Sequence, residues 1–219
     1  MDGPPAVALG VEKKHGDVMN KPPRPVNEGL PNFADITLIF YLGAVMVTGT
    51  LIVFFLAGGG VWQHGDSCEL HPLHQDSDAT PFDVALCEAG DETALAESKQ
   101  YQNDLFDHAQ TMTFAVFIVY QLFNVMNCRS NTESAFKLGL FSNRWINYAF
   151  LFSLGLLLFF VQLAEYSIPF TSLQIGSLMT TSPLSATDWM IILAVAGSVF
   201  VVDEFRKFIV NSKFFTPGG

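Results

Sequence analysis

The chain has 219 residues, half of them apolar, with 21 Asp and Glu against 11 Lys and Arg and a net charge of −10. Only 15% of residues are charged, Phe alone occurs 21 times, and the apolar residues fall in long runs, so bilayer spans are expected rather than a soluble core. No basic patch with interleaved aromatics exists to bind nucleic acid, and three cysteines, Cys68, Cys87 and Cys128, cannot form a complete disulfide framework.

Residues 1–34 read as an extended, polar leading segment in which prolines at 4, 5, 22, 23, 25 and 31 forbid a continuous helix. No signal peptide is apparent. The first span is expected over 35–57, uncharged after Asp35 and, at roughly 1.5 Å per residue, long enough to cross about 30 Å of hydrocarbon. Residues 58–107 read as an acidic loop in which Lys99 is the lone basic residue. A second span is expected over 109–128, a cytoplasmic loop over 129–146 and a third span over 147–164. A short loop with Pro169 and Pro183 covers 165–186, the fourth span 187–209, and a tail 210–219.

Orientation follows from the basic residues, which cells retain on the cytoplasmic side of spans. Lys13, Lys14, Lys21 and Arg24 precede the first span, Arg129, Lys137 and Arg144 separate the second and third, and Arg206, Lys207 and Lys213 close the fourth. Ten of the 11 basic residues then share one side. Both termini are expected in the cytoplasm, with the acidic loop on the opposite side and Trp62, Tyr166 and Trp189 near span ends.

Four groups of residues could carry chemistry. Asp2, within Met1-Asp2-Gly3-Pro4-Pro5-Ala6, is either part of an ordinary turn or a carboxylate at a helix break that offers hard oxygens to Ca²⁺ or Mn²⁺. Gln121, Asn124 and Asn127 recur every three residues on one face of the second span. Such amides either bond to neighbouring helices or line an ion path as neutral ligands. Cys68 and Cys87 fall on the non-cytoplasmic side, where a disulfide between them would close the acidic loop. The alternative there is a zinc or copper site from His71, His74 and a cysteine, with His64 nearby, although the spacing matches no closed structural site. Asp203 and Lys207, one helical turn apart, pair to anchor the end of the last span beside Glu204 and Arg206.

The segments MDGPPAVALGVE, MNKPPRP, QTMTFAVFIVYQLFNVMNCRS, FKLGLFSNRWIN and DWMIILAVAGSVFVVDEFRK together resemble successive landmarks of the C-terminal membrane region of type II P-type cation ATPases. The secretory-pathway and bacterial calcium pumps are the nearest in character, and the likeness covers nearly the whole chain. It implies an all-α membrane protein whose four spans correspond to the seventh to tenth helices of such a pump, with residues 1–34 holding a remnant of the sixth. By the same resemblance Asp2 matches the sixth-helix aspartate that ligates the transported ion. Gln121 stands where two-site pumps carry an acidic ligand, which implies a single-ion site, and Met1 stands where they carry a threonine. Cys68 and Cys87 lie where some calcium pumps form a lumenal disulfide. The cargo implied is Ca²⁺, with Mn²⁺ second, and a complete pump also uses Mg-ATP.

The DKTGT and TGE strings of such pumps do not occur in the chain. One carboxylate falls short of the roughly six to eight oxygens that Ca²⁺ takes, so neither ATP hydrolysis nor autonomous transport is expected of this chain alone. No cofactor is expected within it, and its partners are the bilayer and the remaining part of a pump, if the pump is split. The alternative reading is a stand-alone four-helix membrane protein that regulates or scaffolds a pump or another membrane partner. Met1, placed in the middle of an expected helix, favours the first reading.

Overall fold

Runs of Leu, Ile, Val and Phe without interior proline leave the backbone one economical way to satisfy its polar groups in hydrocarbon, the α-helix. The computed structural model of the chain describes residues 3–11, 33–59, 68, 83–129, 134–139, 142–162 and 181–211, and every regular element among them is helical. The elements are α1 (Gly3–Gly10), α2 (Phe33–Leu56), α3 (Val84–Glu88), α4 (Glu92–Asn127), α5 (Ala135–Leu138), α6 (Arg144–Gln162) and α7 (Ala186–Asn211). Four of them, α2, α4, α6 and α7, are long and apolar enough to cross a membrane. Large apolar side chains such as Phe40, Val47, Leu151, Val201 and Phe208 are exposed on these helices, a surface suited to lipid. Of the spans, α4 is the most enclosed, with 56% of its most apolar stretch buried against 17% for α2.

Gly3–Gly10 of the leading segment, expected to be extended, is helical. A span was also expected to start at Ala109, but α4 starts at Glu92, so about the last third of the expected acidic loop is helix. The junction explains why. Gly90, at φ 84°, closes α3 with bonds from its own N–H to Cys87 O and from Asp91 N–H to Leu86 O, a left-handed cap that glycine adopts without strain. Asp91 then caps α4, its carboxylate accepting from the backbone N–H of Thr93 and Ala94 at 3.0 and 3.2 Å and from the Thr93 hydroxyl. These hydrogen bonds hold the Asp91 carboxyl below its ordinary pKa, the Thr93 hydroxyl contributing most. Polar helix formers then carry α4 on into its apolar half. The end of α2 uses the same device, with Gly58 at φ 103° and Gly59 N–H bonded to Phe54 O.

The helices are shared between two compact units. The first comprises the described residues within Met1–Gly49, Phe117–Leu157 and Leu193–Gly219, the second those within Thr50–Val116 and Leu158–Ile192. In the first, Ala8, Met126, Ile146 and Ala149 form a buried cluster flanked by Leu9, Val125 and Phe200. Tyr120 of α4 is fully buried there, its hydroxyl 3.3 Å from Ser198 Oγ on α7, and a Cβ at Gly49 of α2 would collide with that hydroxyl. Gly49 thus makes room for the end of the Tyr120 ring, as small residues at membrane helix interfaces do for their neighbours.

The second unit is stitched by polar side chains. The Gln162 amide bonds both backbone groups of Leu184, at 3.2 and 3.3 Å, and Ser182 N–H donates to the buried Thr111 hydroxyl at 3.0 Å. At the start of α7, Ser185 and Asp188 cap one another, Asp188 N–H donating to Ser185 Oγ and Ser185 N–H to Asp188 Oδ2. His108 of α4 reaches the same carboxylate at 3.1 Å.

Candidate functional site

The last turns of α4 carry the polar face that the threefold spacing foresees, and its members differ in surroundings. Gln121 and Asn124 are half-buried, whereas Asn127 is 3% exposed. Asn127 donates from Nδ2 to Val199 O of α7 at 3.3 Å, which is the helix-bonding use of an intramembrane amide. The side-chain oxygens of Asn124 and Asn127 are enclosed and have no hydrogen-bond partner among the described residues. A buried acceptor without a partner costs roughly 1–3 kcal/mol. Amide oxygens are neutral hard donors, able to complete a cation shell when other oxygens supply most of it.

Beside this face lies a buried ionic cluster. Asp203 and Lys207 of α7 are each 1% exposed, with Lys207 Nζ 2.9 Å from Asp203 Oδ2. Arg206 grips the other carboxylate oxygen through Nε and Nη2, both at 2.8 Å. Lys207 also donates to Asn127 O at 3.3 Å and stands 3.7 Å from Glu204 Oε1. Glu204 in turn accepts from Ser134 Oγ at 2.6 Å and Ala135 N–H at 2.8 Å, fixing the start of α5. Arg129, just past α4, donates to Gly139 O at 2.9 Å and Ser142 Oγ at 2.7 Å. The Asp203–Lys207 pair, which the sequence presents as the anchor of a helix end, is in the structure the buried centre of a network that joins α4, α5 and α7.

Among the other candidates, Cys68 is joined to Cys87 by a disulfide with Cα atoms 5.9 Å apart, and Cys87 packs against Ala94 with Val84, Leu95 and Tyr101 around it. Cys128 is a free, exposed thiol. Asp2, Trp62, His64, His71, His74 and Tyr166 lie outside the described residues. Among the described residues no group of three His, Cys, Asp or Glu could hold a metal ion. The capping role of Glu204, the burial of Arg129 and the His108–Asp188 contact were not evident from the sequence. The Ser185-x-x-Asp188 capping box was the one local signal available for the last.

The family described as "Cation transporting ATPase, C-terminus" matches residues 1–209. "Calcium-transporting ATPase 1" of Schizosaccharomyces pombe is 33% identical over 97% of this chain and 18% of its own length. "Calcium-transporting ATPase type 2C member 1" of Homo sapiens is 33% identical over 97% of this chain and 18% of its own. Member 2 of Rattus norvegicus is 30% identical over 94% and 17%. The chain therefore spans less than a fifth of the relatives it matches. With four helices able to cross a bilayer, it is an all-α, multi-pass membrane protein that belongs to the family of cation-transporting ATPase C-terminal domains.

Proposed function

We propose that the chain supplies the C-terminal membrane helices of an ATP-driven cation pump, with Ca²⁺ as cargo and Mn²⁺ as the second choice. The observation that carries this reading is the continuous match of residues 1–209 to the C-terminal domain of cation-transporting ATPases, alongside relatives named for calcium transport. Its helices brace the transport helices. The polar networks at the end of α4 and the start of α7 support that role, because pairing polar groups with neighbouring helices rigidifies a membrane bundle. Asp2 and Gln121 contribute oxygens to one ion site, with Asn124 next along the face, and the remaining ligands come from the rest of the pump. Both termini face the cytoplasm, as the basic residues direct, and phosphorylation and nucleotide binding take place in domains outside this sequence.

The test is a chimera in which residues 1–209 replace the matching segment of the fission-yeast relative, assayed as ATP-driven uptake of radioactive Ca²⁺ into membrane vesicles, with Mn²⁺ as competitor. Uptake abolished by omitting ATP, and competed by Mn²⁺ more weakly than by unlabelled Ca²⁺, is expected. A chimera that inserts and folds but moves no cation overturns the proposal.

A further inference from the structure

A cleft of about 780 Å³ runs between α1 and α6, wholly within the first unit. Its floor is made by Ala8 and Ala149, which are 4% and 7% exposed and share one buried cluster. Its rims are Val7 and Val11 on one side and Trp145, Tyr148 and Phe152 on the other, all more than half exposed. The helices are tied beside the cleft by Asn143 Nδ2 donating to Ala8 O at 3.3 Å, so the opening is held by a bond rather than by chance contact. Arg144 opens α6 and is exposed, directly before Trp145 of the rim.

We infer that this cleft binds an anionic phospholipid, with acyl chain against the alanine floor and the headgroup phosphate at Arg144. The walls are apolar and one of them, α6, is long and apolar enough to cross a bilayer, while the cation sits at the α6 terminus beside an aromatic pair, Trp145 and Tyr148, with rings 6.4 Å apart. That order of apolar wall, amphipathic ring and cation matches the order of acyl chain, interface and phosphate in a leaflet.

The experiment uses the purified full chain in nanodiscs, with photoactivatable phosphatidylserine or phosphatidylcholine carrying the reactive group on the acyl chain and labelled residues read by mass spectrometry. It reads binding and not transport, so it stands apart from the pump proposal. Labelling is expected to concentrate on residues 3–11 and 145–152, with phosphatidylserine exceeding phosphatidylcholine about fivefold, the preference one basic residue at a membrane surface confers. Arg144→Gln, at an exposed position, should remove that preference and leave phosphatidylcholine labelling unchanged. Ala149→Trp should clear the cleft of label while keeping helix content. Labelling spread evenly over the exposed faces of α2 and α7 overturns the inference, as does an anionic preference that survives Arg144→Gln. Crosslinks from the cleft to a co-purifying polypeptide in native membranes overturn it too.

Discussion

Replacing Asp203 by Leu removes the shared partner of two cations, one of them enclosed with it: both side chains of the Asp203–Lys207 pair are 2% exposed. What remains near Lys207 Nζ is Asn127 O at 3.3 Å and Glu204 at 3.7 Å, too little to replace a carboxylate at 2.9 Å. Stripping one partner from a buried ion pair costs roughly 3–5 kcal/mol. Lys207→Met is milder, because Asp203 keeps both 2.8 Å bonds to Arg206, and the loss is then about 1.5–3 kcal/mol, one hydrogen bond to a charged group. In the double variant neither charge is stranded and Arg206, whose side chain is 23% exposed, can turn to water. The double variant should therefore recover at least ~1.5 kcal/mol over Asp203→Leu alone. The assay is equilibrium unfolding by SDS titration in mild detergent, followed by tryptophan fluorescence across the four members of the cycle. Strict additivity, or a loss below ~1 kcal/mol for Asp203→Leu, would refute the reasoning, since the pair would then be behaving as a solvated one.

Three further outcomes are expected. Gly49→Ala should cost roughly 1–3 kcal/mol by overpacking, and Tyr120→Phe should restore much of it, because the hydroxyl is the first atom the new methyl meets; the same SDS titration reads both. Maleimide labelling of the unfolded, unreduced chain should modify one thiol, Cys128, and three after reduction, with loss of the 19-residue crosslink costing about 3 kcal/mol. Asp91 is held below its ordinary pKa, so its cap on α4 is fully present at and above the usual aspartate value near ~3.9 and is lost as pH falls through the lowered one. The amide resonances of Thr93 and Ala94 should titrate below ~3.9 and stop titrating in Asp91→Ala; a midpoint at or above that value contradicts the reading.

The spans were legible because hydrocarbon demands unbroken apolar runs, and α2, α6 and α7 begin and end within three residues of the bounds read from the sequence. The polar half of α4 was not, since hydropathy reports what enters a bilayer and not what is helical. Its start is set by Gly90 and Asp91, whose caps act at single residues within an acidic stretch. The amide face was legible as spacing, but burial depends on which helix packs against it. Val199 of α7 takes the Asn127 amide and leaves the Asn124 oxygen without a partner among the described residues. Likewise Asp203 and Lys207 read as a span-end pair from their i, i+4 spacing, while their enclosure arises from α4 and from the contact of Glu204 with α5, neighbours distant in sequence.

The most direct measurement is the Ca²⁺ and Mn²⁺ dependence of ATP-driven uptake in the chimera, with Gln121 intact and as Gln121→Ala. If α4 lends an oxygen to the transport site, Gln121→Ala shifts the Ca²⁺ to Mn²⁺ selectivity of uptake while the chain in the absence of the rest of the pump shows no leak in either form. Uptake with unchanged affinity and selectivity, or a leak through this chain alone that changes with Gln121, would contradict the account.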